Sequence, residues 1–374
     1  MRITFVLPSA DLSGGVRAVV VYAQRLKQRG HEVLVVYPPP RQPTLMEKAK
    51  SLVKRRGWPG RRVAGPSHLD NTDVPCHVLE HCRPVVDSDV PDADVVVATW
   101  WETAEWVAGL SESKGAKAYF IQHDESIWFP DDRQWVERVH ATWRLPMHRI
   151  TTVLWLADVV SRGCGENVTE IIPYGVDMEQ FSSPPRGKQA VPTVALMYST
   201  NRFKGVDISL EAFRLAKQRV TNLRMIAFST CNVVEALPLA SDTEFHLMPH
   251  QDVLPRLYAK CDAYLFGSRC EGFGMPIMEA MACRTPVIGT PTGIAPELCA
   301  HGGMLVDMES PASMADAIVR VAQMSEPQWR LLSDAAYAAV RDLTWDSAAA
   351  QFEAALTRAV ERVGRAETVG VGGK

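Results

Sequence analysis

The chain has 374 residues, 47% of them hydrophobic and 22% charged, with a net charge of −3 and eight cysteines. That length exceeds one ordinary core and implies two domains of roughly 170 to 190 residues, while the near-balanced charge gives no overall pull toward nucleic acid. No apolar run approaches the roughly 18 residues of a membrane span, the opening residues read as a strand instead of a cleavable leader, and the expectation is a cytoplasmic protein.

In chain order, residues 3–7 form an apolar strand, and Ser13-Gly14-Gly15-Val16-Arg17 opens a helix over residues 18–29 that stops at Gly30. Residues 31–37 are the next strand. Strand, glycine turn, helix and strand make a Rossmann-type beginning, although the spacing is not the dinucleotide fingerprint, and Gly14-Gly15 alone is equally an ordinary tight turn. Arg17, in the first helical turn, opposes the helix dipole unless an anion is near, which makes it a candidate for a phosphate or an acceptor. Residues 48–62 hold Lys48, Lys50, Lys54, Arg55, Arg56, Arg61 and Arg62 without an acid. This is a solvated loop, or a surface attracting an anionic membrane or a phosphorylated acceptor at about 1 kcal/mol per charge. Cys76, His77, His81 and Cys82 match no zinc spacing and read as a polar loop.

Residues 94–99 and 117–122 are strands apolar enough to be buried on both faces. The second ends in His123-Asp124, an ionisable pair at the carboxyl end of a strand, where ligands gather in open α/β sheets. Eight of the ten tryptophans lie in the first half. Trp100, Trp101 and Trp128 flank strand ends and are candidates for stacking on a sugar or another partly apolar acceptor, with core packing as the alternative. A strand at 150–153, a helix to Arg162 and a strand at 168–172 close this part. Proline, glycine and charge then cluster through residues 171–177 and 184–188, as in a linker.

The second half opens with a strand at 194–199, followed by Asn201-Arg202-Phe203-Lys204-Gly205 and a helix over 206–218. A lysine at a helix N-terminus is on the wrong side of the dipole, which a bound anion explains. Strands at 223–228 and 244–248, a helix at 252–261 and a strand at 262–268 lead to Glu271-Gly272-Phe273-Gly274-Met275-Pro276-Ile277-Met278-Glu279. After it come a strand at 286–290, another at 304–306, helices over 311–324 and 327–343, and a last helix to about Arg362 before a disordered tail at 369–374. A glycine loop opening a helix leaves N–H groups unpaired, and Pro276 suits a first-turn position because it has no N–H to orphan. That is an anion site. Glu271 and Glu279 beside it are awkward unless they grip hydroxyls, and phosphate plus diol reads as a nucleotide sugar.

The ordered run Glu-Gly-Phe-Gly-Met-Pro-Ile-Met-Glu, continued by Ala-Met-Ala-Cys and Thr-Pro-Val-Ile, resembles the Glu-x7-Glu signature of retaining GT-B glycosyltransferases of family four. The resemblance implies a GT-B fold, two Rossmann-like parallel-sheet domains facing across a cleft: an acceptor-binding domain at 1–176, a donor-binding domain at 177–345, and a C-terminal helix at 346–374 crossing back. It implies that Glu271 contacts hydroxyls of the donor sugar, Glu279 holds the ribose diol, and the amides of Gly272, Phe273 and Gly274 lie against sugar and diphosphate. It places Gly14 and Gly15 on the diphosphate, Lys204 and less securely Arg202 on the phosphates, and His123 near the anomeric centre. Two positions depart from the family pattern: Arg284 stands where a glycine closes the helix, and Tyr174 replaces an asparagine. The expected reaction is metal-independent transfer from a nucleotide diphosphate sugar to a hydroxyl acceptor by front-face attack, with retention at the anomeric carbon. A GT-B epimerase or phosphorylase, or a non-catalytic nucleotide-sugar-binding subunit, are the competing expectations; base, sugar, acceptor, linkage and oligomeric state stay open.

Overall fold

The computed structural model describes residues 1–54, 58, 60, 62–165 and 170–371. Arg55, Arg56 and Arg61 of the basic segment, the first two residues of the strand expected at 168–172, and residues 372–374 lie outside the described residues. The chain forms two compact units, Met1–Pro173 with Ala348–Lys374, and Tyr174–Ser347.

The first unit contains β1 (Arg2–Val6), α1 (Gly14–Gln28), β2 (Glu32–Tyr37), α2 (Leu45–Val53), β3 (Cys76–Val78), β4 (Val95–Ala98), α3 (Trp101–Ala108), β5 (Ala116–Phe120), α4 (Arg133–Thr142), β6 (His148–Thr151), α5 (Leu154–Cys164) and β7 (Glu170–Ile171). Its strands are parallel in the order β3-β2-β1-β4-β5-β6-β7. Val95, Val96, Val97 and Ala98 are fully buried, as a central strand covered by helices on both faces must be. Two expectations change here. Residues 76–78 are an edge strand and not a loop; the sheet edge leaves Cys76, His77 and Val78 exposed, so no apolar alternation marks them. Residues 45–53 are a helix, started by a reciprocal cap in which Thr44 Oγ1 accepts from the Glu47 amide (3.2 Å) and Glu47 Oε2 from the Thr44 amide (2.7 Å).

The second unit contains β8 (Thr193–Met197), α6 (Val206–Arg219), β9 (Arg224–Ser229), β10 (Glu244–Leu247), α7 (Leu254–Ala259), β11 (Ala263–Phe266), α8 (Met275–Ala282), β12 (Val287–Gly289), α9 (Ala295–Gly302), β13 (Gly303–Leu305), α10 (Pro311–Gln323) and α11 (Glu326–Val340). The parallel order is β10-β9-β8-β11-β12-β13. In each unit the chain fills the sheet outward, then returns beside its first strand, so the order reverses between β1 and β4 and between β8 and β11. Loops leaving the carboxyl ends of those strand pairs diverge and open a crevice. The segment at 184–188, read as linker, is pinned to its own unit: the half-buried Arg186 guanidinium donates to the Cys261 carbonyl (2.6 Å) and Thr285 Oγ1 (2.9 Å) and lies 4.6 Å over the Trp329 ring.

The last helix, α12 (Trp345–Val371), continues past Arg362, because no proline interrupts it. Most of it belongs to the first unit, where Phe352 is fully buried, its ring stacked 4.4 Å from Tyr22 and edge-on 5.1 Å from Phe120. Burying one such ring contributes roughly 2 to 3 kcal/mol.

Candidate functional site

The second unit concentrates the candidate chemistry at its topological switch. After β8, the Asn201 side chain accepts from the Phe203 amide (3.0 Å) and starts a 3-10 turn over Arg202–Lys204, which ends at Gly205 in the left-handed conformation (φ 55°) before α6. After β11 the chain passes so close that a Cβ on Gly205 would stand 1.8 Å from the Gly267 carbonyl oxygen. Only glycine permits this contact. It brings the Lys204 ammonium to 2.7 Å from Glu271 Oε1, which also accepts from Ser268 Oγ at 2.8 Å. Glu271 is 8% exposed and Glu279 7%. Tyr258 donates its hydroxyl to Glu279 Oε2 at 3.4 Å. Burial, and then the negative charges of Glu271 and Glu279, push the Tyr264 phenol well up.

Gly274, left-handed at φ 97°, turns the loop into α8, with Pro276 in the first turn. Gly293 supports the loop from below. Its missing Cβ would strike the Phe273 carbonyl oxygen at 2.1 Å, and the Ile294 amide donates to that oxygen at 2.7 Å. The Phe273 ring is buried 4.6 Å from Tyr174, which accounts for an aromatic where the family pattern has asparagine. Arg284 does adopt the left-handed conformation (φ 57°). Its side chain compensates by donating to the Ser183 carbonyl (3.1 Å), pairing with Asp334 and lying 4.2 Å over the Tyr337 ring. Lys204, Glu271, Gly272, Phe273, Gly274 and Glu279 are thus assembled together. Arg202 is not part of that pair: it is exposed, with its guanidinium 5.1 Å over its neighbour Phe203. Sequence reasoning missed Arg269, whose amide and side chain tie the two loops together.

In the first unit, Gly14 is the first residue of α1, capped by Ser13 Oγ, which accepts from the Val16 amide at 3.4 Å. Gly15 lies against Gln122, where a Cβ would come within 3.3 Å of Oε1, so α1 begins beside the end of β5. Arg17 is half-buried. Its charge helps to lower the pKa of His68, behind the larger effect of burial. His123 follows β5, its Nδ1 3.0 Å from the Asp124 carbonyl oxygen, with Trp128 at 5.4 Å and Trp155 at 6.3 Å ring to ring. Asp124 fixes this turn by accepting from the Ser126 amide (3.0 Å) and hydroxyl (2.5 Å). Trp128 therefore stands beside His123, and Trp100 is half-buried at the start of α3. Trp101 is core instead of a ligand platform: it is 1% exposed, edge-on to Trp135 at 4.9 Å, with the Arg138 guanidinium 4.5 Å over its ring. The residues at 76–82 form no metal cluster. Among the described residues no group of three or more histidines, cysteines or acids is placed to hold a metal ion.

Glu125 also escaped sequence reasoning. It is fully buried, and among the described residues neither carboxyl oxygen has a hydrogen-bond partner. Burial pushes its pKa well up, the Asp124 charge adding to the shift. A carboxyl whose folded pKa is raised contributes stability below its unfolded pKa and loses it as pH rises toward the folded value. Glu125→Gln should therefore be more stable than the parent, by a free-energy margin that widens above about pH 4.5 at up to about 1.4 kcal/mol per pH unit and raises its unfolding temperature accordingly. Thermal unfolding of both proteins from pH 4.5 to 8 checks this; a margin constant with pH would show that Glu125 is ionised.

Residues 190–324 match the family model described as Glycosyl transferases group 1. Similar curated proteins include the MMP alpha-(1->4)-mannosyltransferase of Mycolicibacterium hassiacum, 27% identical over 202 residues, covering 52% of this chain and 49% of that one. The D-inositol 3-phosphate glycosyltransferase of Corynebacterium efficiens is 33% identical over 209 residues, covering 51% and 49%. The chain thus spans about half the length of these curated relatives. Among solved structures, Anabaena HepE in complex with UDP-glucose superposes with a TM-score of 0.71 at 18% identity, covering 96% of this chain and 100% of that one. WaaG, a glycosyltransferase involved in lipopolysaccharide biosynthesis, gives 0.64 at 16%, covering 94% and 98%. Parallel-sheet units in the 3-2-1-4-5-6 order, with a seventh strand ending the first, the loop pair at the second switch point and these likenesses agree: the chain has the GT-B fold, and its second unit carries a glycosyl transferases group 1 domain.

Proposed function

We propose that the protein is a retaining, metal-independent glycosyltransferase that moves a hexosyl or deoxyhexosyl unit from a nucleoside diphosphate sugar to a hydroxyl acceptor. The observation that carries this reading is the half-buried Lys204 ammonium 2.7 Å from Glu271 at the entrance to α8. An ammonium, two helix N-termini and two carboxylates match a diphosphate flanked by sugar and ribose hydroxyls. In this reading Lys204 and the amides of Gly272, Phe273 and Gly274 receive the charge that develops on the leaving phosphate, the work a metal ion does elsewhere. Arg202 has a lesser share. Glu279 takes the ribose diol, and Glu271 orients the sugar and steadies its positive character. Gly14 and Gly15 admit the diphosphate, His123 serves the reacting sugar, and Arg17, Trp100 and Trp128 serve the acceptor. The acceptor oxygen bonds to the anomeric carbon as the carbon–phosphate oxygen bond breaks, and the acceptor's proton passes to the departing phosphate oxygen. The curated mannosyl- and glycosyltransferase relatives support the reaction class. Nucleoside diphosphate release should depend on a hydroxyl acceptor; conversion of donor alone would indicate an epimerase, and binding without turnover across acceptors a non-catalytic subunit.

The reading extends to a peripheral membrane contact. No residue of α2 is buried, and Leu45, Met46, Leu52 and Val53 are exposed. With Ala49 they share one face at 3.6 periodicity, bordered by Lys48 and Lys50. Exposed Trp58 lies 5.6 Å from the Lys48 ammonium. A nine-residue helix with nothing buried is marginal in water, and an anionic lipid surface would cover its apolar side and meet its lysines. Among the described residues no helix is long and apolar enough to cross a membrane. Co-sedimentation with phosphatidylglycerol vesicles should fall with salt, and by at least about tenfold in Lys48→Glu/Lys50→Glu. Equal binding to phosphatidylcholine vesicles would contradict it.

A further inference from the structure

We propose that Arg269 is a positioning residue that sets Lys204 for the donor diphosphate, an inference that rests on the function proposed above. Its guanidinium uses every N–H it has. Nε donates to Glu309 Oε1 (2.6 Å) and Nη2 to Glu309 Oε2 (3.0 Å). Nη1 and Nη2 make a two-pronged contact with Asp207 (2.8 and 2.7 Å), and the remaining Nη1 proton goes to the Arg202 carbonyl at 2.8 Å. The Arg269 amide donates to the Phe203 carbonyl, also at 2.8 Å. Two successive carbonyls of the turn that carries Lys204 are thereby held by the residue two positions before Glu271.

The partners show that this geometry is imposed. Asp207 lies in the first turn of α6, immediately after the turn being held. Glu309, on the segment following β13, is one of the few non-glycine residues with positive φ (53°) among the described residues. Backbone strain of that kind persists only where surrounding contacts over-determine it. The paired carboxylates raise the Arg269 pKa, and the side chain is only 24% exposed. A lysine has three donors on one atom and cannot satisfy two carboxylates and a carbonyl in this plane. Arg269 does not face the carboxylate of Glu271 or the ammonium of Lys204 directly; it acts through the backbone of the turn.

The test is a double-variant cycle with UDP and GDP as probes, combined with hydrogen exchange of the free protein. Arg269→Gln should weaken nucleoside diphosphate binding by about tenfold and raise donor KM more than it lowers kcat. In the Lys204→Ala background the same change should cost less than about twofold, because its route is already cut. Arg269→Lys should restore little. Amides of residues 203–205 should exchange faster in Arg269→Gln while those of β9 do not. Equal losses in both backgrounds, or unchanged exchange at 203–205, would overturn the assignment. If the parent protein binds neither diphosphate, the functional reading is what fails, and the exchange comparison alone then decides the role of Arg269.

Discussion

Glu271→Gln should lower kcat/KM for glycosyl transfer by at least about a hundredfold, with most of the loss in kcat. Glutamine keeps the shape and the capacity to accept a hydroxyl proton but removes the negative charge that opposes the developing positive charge on the sugar. Because Glu271 is buried against Lys204 and Ser268, the structural cost must be separated from the catalytic one. The Lys204 side chain is 30% exposed, so solvent relieves much of the lost pairing, and the stability cost should stay near about 1 kcal/mol. Steady-state kinetics beside a melting curve makes the separation. Unchanged kcat in a folded variant would remove Glu271 from the chemistry.

Gly205→Ala should abolish the folded second unit or destabilise it by more than about 4 kcal/mol. Two costs add. A left-handed alanine costs roughly 1 to 2 kcal/mol, and here its methyl group would stand 1.8 Å from the Gly267 carbonyl oxygen, which neither backbone can yield without moving the Lys204 turn. Gly30→Ala is the control, since Gly30 is also left-handed (φ 89°) but among the described residues has nothing within 4 Å of a built Cβ. It should lose only about 1 kcal/mol. Comparable melting temperatures for the two variants would mean that the two loops are not in backbone contact.

What was legible in the sequence was local. The glycines, Pro276 and the two glutamates around residue 274 announce their geometry within one turn, and Lys204 betrays itself by standing at the start of a helix. What escaped depends on distant partners. Arg269 gains meaning only from Asp207 and Glu309, 62 and 40 residues away. Trp101 and Trp128 look alike in sequence, yet Trp135 and Arg138 cover the first, while the second stands beside His123. The basic residues of 48–62 obscured the apolar repeat of α2, and edge exposure hid β3. Glu125 gave no local sign because burial without partners is a property of packing alone.

In the function proposed here, the turn carrying Lys204 and the loop opening α8 receive a sugar nucleotide's diphosphate. Calorimetric titration of the parent protein and Lys204→Ala with UDP, GDP, dTDP and ADP sugars tests it most directly. One donor class should bind the parent, and Lys204→Ala should weaken that binding at least about tenfold. Equal affinity in the two proteins, or no binding by any of the four classes, would contradict it.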